Sequence, residues 1–310
     1  MNLRLYHDPG FAAPIGDHVM PIRKFALVAE KLCRKSGLKI CSPQSVSESD
    51  LLRVHTSEYV SAVKTGSPRE LAESQKFPWS PALYPSVLLT NGGVLAAARS
   101  ALDEGISGAL ASGFHHAFAD HGEGFCTFNG LVVALEALRA EGRIRSAAIL
   151  DLDLHYGNGT ASLAASRPWI KALSIYGNDY ADNVPYRDVS VRRHTDGENH
   201  FSAPISPSEN DGECLQRLLE QHLPWLIEGS RPDLLLFQAG ADPLRDDPYS
   251  PLSLDQGDLF LRDKKVFTFA RTNGLPVAWV LAGGYAPDVV RVVDVHVNTA
   301  IACLEIYNFS

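Results

Sequence analysis

Short runs of apolar residues alternate along the chain with longer stretches in which apolar positions recur every third or fourth residue. Several of the short runs are apolar without alternation, which is typical of parallel strands buried on both faces. The short runs predict β-strands at 3–6, 38–41, 109–112, 147–152, 170–175, 234–237 and 277–281.

The longer stretches have the period of amphipathic helices. They predict helices at 22–36, 47–64, 86–104, 130–141, 212–228, 255–273 and 288–306. Strands that alternate with helices favour an α/β fold with a mainly parallel sheet, and we expect residues 1–310 to form a single domain. Two stretches without a period, 66–86 and 177–211, are expected to be loop-rich and to frame the pocket.

Composition narrows the class of protein. A hydrophobic fraction of 45% and a charged fraction of 21% are those of an ordinary globular protein. The chain has no apolar run long enough to span a membrane and no signal-peptide core near Met1, so we expect a cytoplasmic protein without a membrane partner. A net charge of -8 argues against direct nucleic-acid binding.

Five scattered cysteines, without a CxxC motif, predict neither a disulfide framework nor a thiolate zinc site.

Three tracts of metal-binding and acid-base residues follow predicted strands. They are Asp151-Leu-Asp-Leu-His155, Gly240-Ala-Asp242 and Gly113-Phe-His-His116. Because ligands of parallel sheets gather at the carboxyl ends of strands, these tracts are expected to meet. Asp153, His155 and Asp242 offer two oxygens and one nitrogen, which suits a four-coordinate zinc ion with one open position. Iron(II) is an alternative, because the same ligands accept it.

The other groups suit hydrolysis. The adjacent His115 and His116 supply a base for a water molecule, and the phenol of Tyr285 supplies a hydrogen-bond donor for an oxyanion. Asp151 suits a supporting role behind His115. Each feature also has an ordinary explanation, since acidic residues at strand ends often cap helices and a Gly-Gly-Tyr tract often forms a turn.

The combined order of the tracts resembles the zinc-dependent histone deacetylase family, which includes bacterial deacetylase-like amidohydrolases and acetylpolyamine amidohydrolases. The matching tracts are Gly113-Phe-His-His-Ala, Gly124-Phe-Cys, Asp151-Leu-Asp-Leu-His-Tyr-Gly-Asn-Gly, Gln238-Ala-Gly-Ala-Asp-Pro and Gly283-Gly-Tyr, with a weaker Val54-His-x-x-x-Tyr59. The short chain and its Gly157-Asn-Gly tract resemble bacterial and class IV-type members more than class I enzymes.

The resemblance implies a three-layer α/β/α fold of the arginase/deacetylase type. It implies that Asp153, His155 and Asp242 bind zinc and that potassium lies near the backbone of Ser174. Asn158, implied to lie behind His116, stands where class I members carry an aspartate, so His116 should be less easily held as a cation. The implied catalytic residues are His115 and His116, with Asp151 and Asn158 behind them, and Tyr285; Gly124, Phe125 and Gly284 would line the substrate channel.

These residues lead us to expect removal of acetyl or other acyl groups from lysine side chains. Acetylpolyamines or related acylated small amines are the alternative substrates, and a non-catalytic acyl-lysine-binding module is a further alternative. A two-metal ureohydrolase is disfavoured, because it needs an Asp-x-His-x-Asp order. The rim at 177–191 has no confident match, and Tyr180 is the candidate there for the second channel wall.

Overall fold

The computed structural model describes residues 2–16, 18–180, 192–194, 196–208 and 210–309. The strands of the described chain form one sheet, and every neighbouring pair is parallel. The order across the sheet is β2-β1-β3-β8-β7-β4-β5-β6. The strands are β1 (Leu3–Tyr6), β2 (Leu38–Cys41), β3 (Ile106–Ser112), β4 (Ala147–Asp151), β5 (Ile170–Tyr176), β6 (His200–Pro204), β7 (Leu234–Ala239) and β8 (Val277–Leu281).

The four central strands β3, β8, β7 and β4 are buried along their whole length. This explains why apolar residues follow one another in these strands instead of alternating with polar ones, because helices cover both faces of a parallel sheet. The helices are α1 (Lys24–Leu32), α2 (Glu48–Leu51), α3 (Ser57–Thr65), α4 (Arg69–Ala72), α5 (Leu83–Glu104), α6 (Gly130–Ala140), α7 (Asn158–Ala165), α8 (Asp211–His222), α9 (Gln256–Thr272) and α10 (Val289–Tyr307).

The helices form two packed groups. Helices α5, α6 and α7 pack in succession on one another, and α1, α10, α9 and α8 form the second succession. With the sheet they make the three-layer α/β fold that was predicted. In the described part of the chain, no helix combines the length and the apolar character needed to cross a membrane.

Strand β6 and helices α4 and α7 were missed by the sequence pattern. Helix α4 is a single four-residue turn within 66–86, which was predicted to be loop-rich. Strand β6 lies within 177–211, which was predicted to be loop-rich, and it pairs with β5 at the edge of the sheet. Three of its five residues are partly exposed, so it lacks the apolar run of a central strand. Helix α7 is only eight residues long and is built mostly from small residues, which gives it little hydrophobic periodicity.

The prediction of one helix at 47–64 was wrong. The chain forms α2 and α3 instead, because Thr56 caps α3 by accepting a hydrogen bond from the Tyr59 backbone N–H at 3.3 Å. The backbone N–H of Thr56 is also used outside the helices, where it donates to the Ala119 carbonyl at 2.8 Å. Similarly, α8 ends at His222, and a 3₁₀ turn at Leu223–Ile227 follows it where Pro224 removes a helical donor.

The predicted reactive tracts all follow the carboxyl ends of neighbouring strands. The histidine pair follows β3, and Tyr285 follows β8. Asp242 follows β7, and Asp153 and His155 follow β4. Since these four strands are adjacent in the sheet, the fold brings the tracts to one edge.

Candidate metal centre

Three buried side chains point donor atoms at one another. His155 Nδ1 lies 3.2 Å from Asp153 Oδ1 and 3.1 Å from Asp242 Oδ2. All three residues are at most 3% exposed. Ligands about 2.0 Å from a tetrahedral zinc ion lie about 3.3 Å apart, so this spacing fits a metal between them. Among the described residues, these three form the one group of His, Cys, Asp or Glu side chains that could hold a metal ion.

Two glycines make room for the carboxylates. A Cβ at Gly283 would overlap Asp242 Oδ2, and a Cβ at Gly240 would lie 2.6 Å from Asp242 Oδ1. The backbone also orients the ligands, because the Gly283 N–H donates to Asp153 Oδ2 at 2.7 Å and the Leu154 N–H donates to Asp242 Oδ1 at 3.0 Å. The donor set is therefore held in place by backbone groups, which fits a dedicated metal site.

The charges of the cluster also suit a cation. Burial opposes charge on His155, but its hydrogen bonds to Asp153 and Asp242 outweigh burial and raise its pKa to about 10. Burial and the charge of Asp153 raise the pKa of Asp242 to about 6. In the metal-free protein a proton thus offsets the two carboxylates, and a divalent cation would replace that proton.

The two adjacent histidines have different partners. His115 Nδ1 lies 2.7 Å from the carboxylate oxygen Oδ2 of Asp151, whereas His116 Nδ1 lies 2.7 Å from the amide oxygen of Asn158. Burial opposes charge on His115, but the negative charges of Asp151 and Asp153 raise its pKa. Burial and the neighbouring His115 lower the pKa of His116 well below 6.5. His116 is therefore a neutral base, and its Nε2 carries the free lone pair because Nδ1–H is donated to the amide.

Tyr285 stands beside the metal cluster. Its ring centroid is 6.4 Å from that of His155, and its backbone N–H donates to Asp247 Oδ2 at 2.6 Å. Burial and the charges of Asp242 and Asp153 raise the pKa of the phenol well above 10. The hydroxyl is thus a stable hydrogen-bond donor at neutral pH.

A cavity of about 160 Å³, here called the outer cavity, gives access to these groups. An inner cavity of about 60 Å³ shares His116, Gly124, Phe125 and Tyr285 with it and extends among apolar side chains that include Phe11 and Met20. The residues lining the outer cavity are Lys76, His116, Gly124, Phe125, His155, Tyr180, Tyr249 and Tyr285.

Two of the three channel residues predicted from sequence line the cavities, and the third does not. Gly124 and Phe125 line both cavities, and Gly283 is the glycine of the Gly283-Gly-Tyr tract that lines the inner one. Gly284 has a φ of 146°, and a Cβ there would lie 2.5 Å from Val292 of α10. The channel role of Gly284 therefore stays a prediction.

Two tyrosines line the outer cavity together with Phe125. The ring of Tyr180 stacks on His116 with a centroid distance of 3.9 Å, and the ring of Tyr249 meets Tyr285 edge-on at 5.2 Å. Tyr249 follows β7 by the same logic as Asp242 but carries no motif, so sequence reasoning missed it. The predicted rim 177–191 is described only as far as Tyr180, and residues 181–191 lie outside the described part of the chain.

Two buried cations behind the site were also missed. Lys24 Nζ donates to the Ala282 carbonyl at 2.7 Å, and burial lowers its pKa to about 8. Arg262 Nη1 donates to the carbonyls of Leu152 and Gly240, at 3.1 and 2.7 Å. Both cations lie on helices with an apolar face, where a charged residue is normally assigned to solvent, so the sequence carried no signal for them.

The chain is similar to known deacetylases and amidohydrolases. The family model described as "Histone deacetylase domain" matches residues 18–300. The chain is 29% identical to Histone deacetylase 2 of Arabidopsis thaliana, over 82% of this chain and 65% of that protein. It is 30% identical to Acetylpolyamine amidohydrolase 1 of Pseudomonas aeruginosa, over 59% of this chain and 51% of that protein.

A solved structure has the same fold. The HDA15 HD domain superposes with a TM-score of 0.78 and 19% sequence identity, covering 98% of this chain and 95% of that chain. Since the family model spans most of the residues, including the metal cluster, the histidine pair and Tyr285, the chain belongs to the histone deacetylase family and is a hydrolase that acts on acetylated amides.

Proposed function

We propose that this protein removes acetyl or other acyl groups from the side-chain amine of lysine in proteins or peptides. The observation that carries this proposal is the shared outer cavity of His116, His155 and Tyr285. A neutral base, a metal ligand and a protonated phenol then face the same substrate. Asp153 and Asp242 complete the metal site with His155.

We assign the metal position to zinc, with iron(II) as the second candidate, because two carboxylates and one imidazole accept either ion. When bound, the cation supplies Lewis acidity to a water molecule and to the amide carbonyl. We also assign structural potassium to the backbone near Ser174. That residue pairs with Asp151 across β5 and β4 and lines a small cavity beside the metal loop.

The protein residues would then divide the proton transfers. His116 accepts the proton of the attacking water at Nε2, because its Nδ1–H is held by Asn158. The hydroxyl of Tyr285 donates to the oxyanion of the tetrahedral intermediate. His115 is held by Asp151, and the histidine pair returns a proton to the leaving amine.

The walls of the outer cavity favour lysine over polyamines. Phe125, Tyr180 and Tyr249 form an aromatic passage that suits the methylene groups of a lysine side chain. Among the described residues that line this cavity, there is no aspartate or glutamate, and Lys76 is the one lysine or arginine. Its ammonium group would repel the additional ammonium groups of an acetylpolyamine.

An amidohydrolase acting on acetylpolyamines or related acylated amines is the second candidate function. The similarity to Acetylpolyamine amidohydrolase 1 supports it, and its chemistry would use the same catalytic residues. A non-catalytic acyl-lysine binder has less support, because the metal ligands, histidine pair and phenol are all present.

Turnover on a mixed substrate panel tests the proposal. Zinc-loaded protein is assayed with acetyl-lysine peptides, longer acyl-lysine peptides and acetylpolyamines. A His116→Ala variant should abolish turnover, whereas His222→Ala, at the end of α8, should leave it unchanged. Faster turnover of acetylpolyamines than of every peptide would favour the second candidate. Failure to hydrolyse any of them with zinc bound would contradict both.

A further inference from the structure

The base His116 depends on the orientation of an amide. Its Nδ1 lies 2.7 Å from Asn158 Oδ1. An amide oxygen only accepts hydrogen bonds, so this contact requires the proton on Nδ1 and leaves Nε2 free to act as a base. If the amide turned over, its NH₂ group would face the ring, and Nδ1 would have to become the acceptor. The orientation of the Asn158 amide therefore determines which ring nitrogen of His116 carries the proton.

A carboxylate decides which way that amide points. Asn158 Nδ2 donates to Glu123 Oε2 at 2.8 Å. A carboxylate only accepts, so a reversed amide would place two oxygens against each other. The Gly159 N–H, which donates to Asn158 Oδ1 at 2.9 Å, favours the same orientation.

Glu123 is held firmly enough to do this. Its side chain is 18% exposed, and Oε1 lies 3.5 Å from His121 Nε2. Its backbone is also fixed, because its carbonyl accepts a hydrogen bond from the Cys126 N–H at 2.7 Å. Gly124 and Phe125, which line the outer cavity, follow it directly. The same loop thus carries the orienting carboxylate and one wall of the channel.

We infer that Glu123 is a positioning residue for the base, which it keeps in the Nδ1–H form by fixing the amide of Asn158. The inference rests on the proposed function of His116. The two histidines then differ in whether a carboxylate contacts the ring directly or through an amide. Asp151 touches His115 directly, whereas the negative charge of Glu123 is separated from His116 by one amide.

Replacing Glu123 tests the inference. Glu123→Ala should lower kcat by roughly 10–100-fold with little change in KM, the usual cost of losing a partner in an outer shell. Glu123→Gln should restore most of the activity, because its amide oxygen accepts the same hydrogen bond. Glu136→Ala serves as the matched control, since that glutamate is similarly buried, with a side chain 20% exposed, and its partner Arg167 lines neither cavity.

A second background separates positioning from a general role in folding. In Asn158→Asp protein a second carboxylate faces Glu123, and the two charges repel. Glu123→Ala should therefore raise kcat in that background, although it lowers kcat in the Asn158 protein. A loss of similar size in both backgrounds would overturn the inference.

A spectroscopic measurement does not depend on turnover. Long-range ¹H–¹⁵N correlation spectra of zinc-loaded protein report which ring nitrogen of His116 carries the proton. We expect the Nδ1–H form in the unaltered protein and a mixture of forms in Glu123→Ala. The Nδ1–H form alone in both proteins would contradict the inference, whereas inactivity on every substrate with the expected spectra would count only against the proposed function.

Discussion

At the scale of single residues, different hydrogen-bond partners give two chemically identical histidines different pKa values. His115 and His116 are neighbours in sequence, and their ring centroids are 3.9 Å apart. One is paired with a carboxylate and has a raised pKa, and the other is paired with an amide and has a lowered pKa. Two adjacent imidazoles thereby take different parts in proton transfer.

Loss of the Tyr285 hydroxyl should slow the reaction without changing metal binding. Tyr285→Phe should lower kcat by roughly 10²–10³-fold, the usual cost of removing an oxyanion donor. Metal content should not change, since Tyr285 is not among the clustered ligands. Steady-state kinetics with metal analysis checks this. Tyr84→Phe is the control, because that hydroxyl bonds to Glu48 at the surface. Near-normal turnover of Tyr285→Phe with metal bound would rule out the mechanism.

The metal site also depends on the absence of a side chain at Gly283. Gly283→Ala should push Asp242 out of place, because the new Cβ would overlap its carboxylate. We expect metal affinity to fall by roughly 10–100-fold, measured by competition with a chelator. Gly257→Ala, in the first turn of α9, should bind metal normally. Unchanged affinity in Gly283→Ala would show that the carboxylate does not need that space.

At the scale of elements, the segment between α2 and α3 fixes the loop that carries the histidine pair. His55 Nδ1 donates to the Phe118 carbonyl at 2.8 Å, and His55 Nε2 accepts from the Asn129 N–H at 3.0 Å. The hydroxyl of Tyr59, at the start of α3, donates to the Thr127 carbonyl at 2.6 Å. The His-x-x-x-Tyr tract that the sequence matched only weakly therefore supports the site from behind.

His55 should make stability depend on pH. Burial lowers its pKa from 6.5 to about 4, so the unfolded chain binds a proton more readily than the folded protein. The contribution is complete above pH 6.5 and is lost as the pH falls towards 4, by about 3 kcal/mol in all. Urea unfolding across this range should show the loss, and His55→Gln should lack this component. An equal slope in both proteins would exclude His55 as its source.

The sequence predicted those elements whose patterns come from burial. The central strands were recognisable because both faces are covered, and the site tracts because each follows such a strand. Strand β6 and helix α7 were missed, since partial exposure and small side chains weaken the pattern. The contacts of Lys24 and Arg262 depend on tertiary packing, which a local pattern cannot show.

At the scale of the whole molecule, the ends of two strands, β4 and β7, supply the ligands of one metal position, and the ends of β3 and β8 supply the groups around it. We expect one transition metal per chain, whereas a two-metal ureohydrolase would bind two. Elemental analysis of the purified protein distinguishes these outcomes. Loss of metal from Asp153→Asn would further tie that ion to the cluster, because the substitution removes one anionic ligand.

Metal binding should also stabilise the fold. A ligand at 100 times its Kd stabilises the folded state by about 2.7 kcal/mol, which should raise the Tm by roughly 5 °C for a chain of this size. A thermal scan before and after chelation measures this. One cooperative transition in both scans would agree with the predicted single domain, and a Tm insensitive to zinc would contradict the assigned site.

Because all paired strands in the described part of the chain are parallel, the opposite edge of the sheet lies away from the metal cluster. The turns that lead into β4, β7 and β8 lie at that amino-terminal edge, and they contain Gly142, Gly229 and Gly274 at positive φ. Fluorescent labels, affinity tags or surface attachment points introduced there would stay remote from the substrate entrance. Because of the same separation, we expect substitutions in those turns to leave the chemistry at the other edge unchanged.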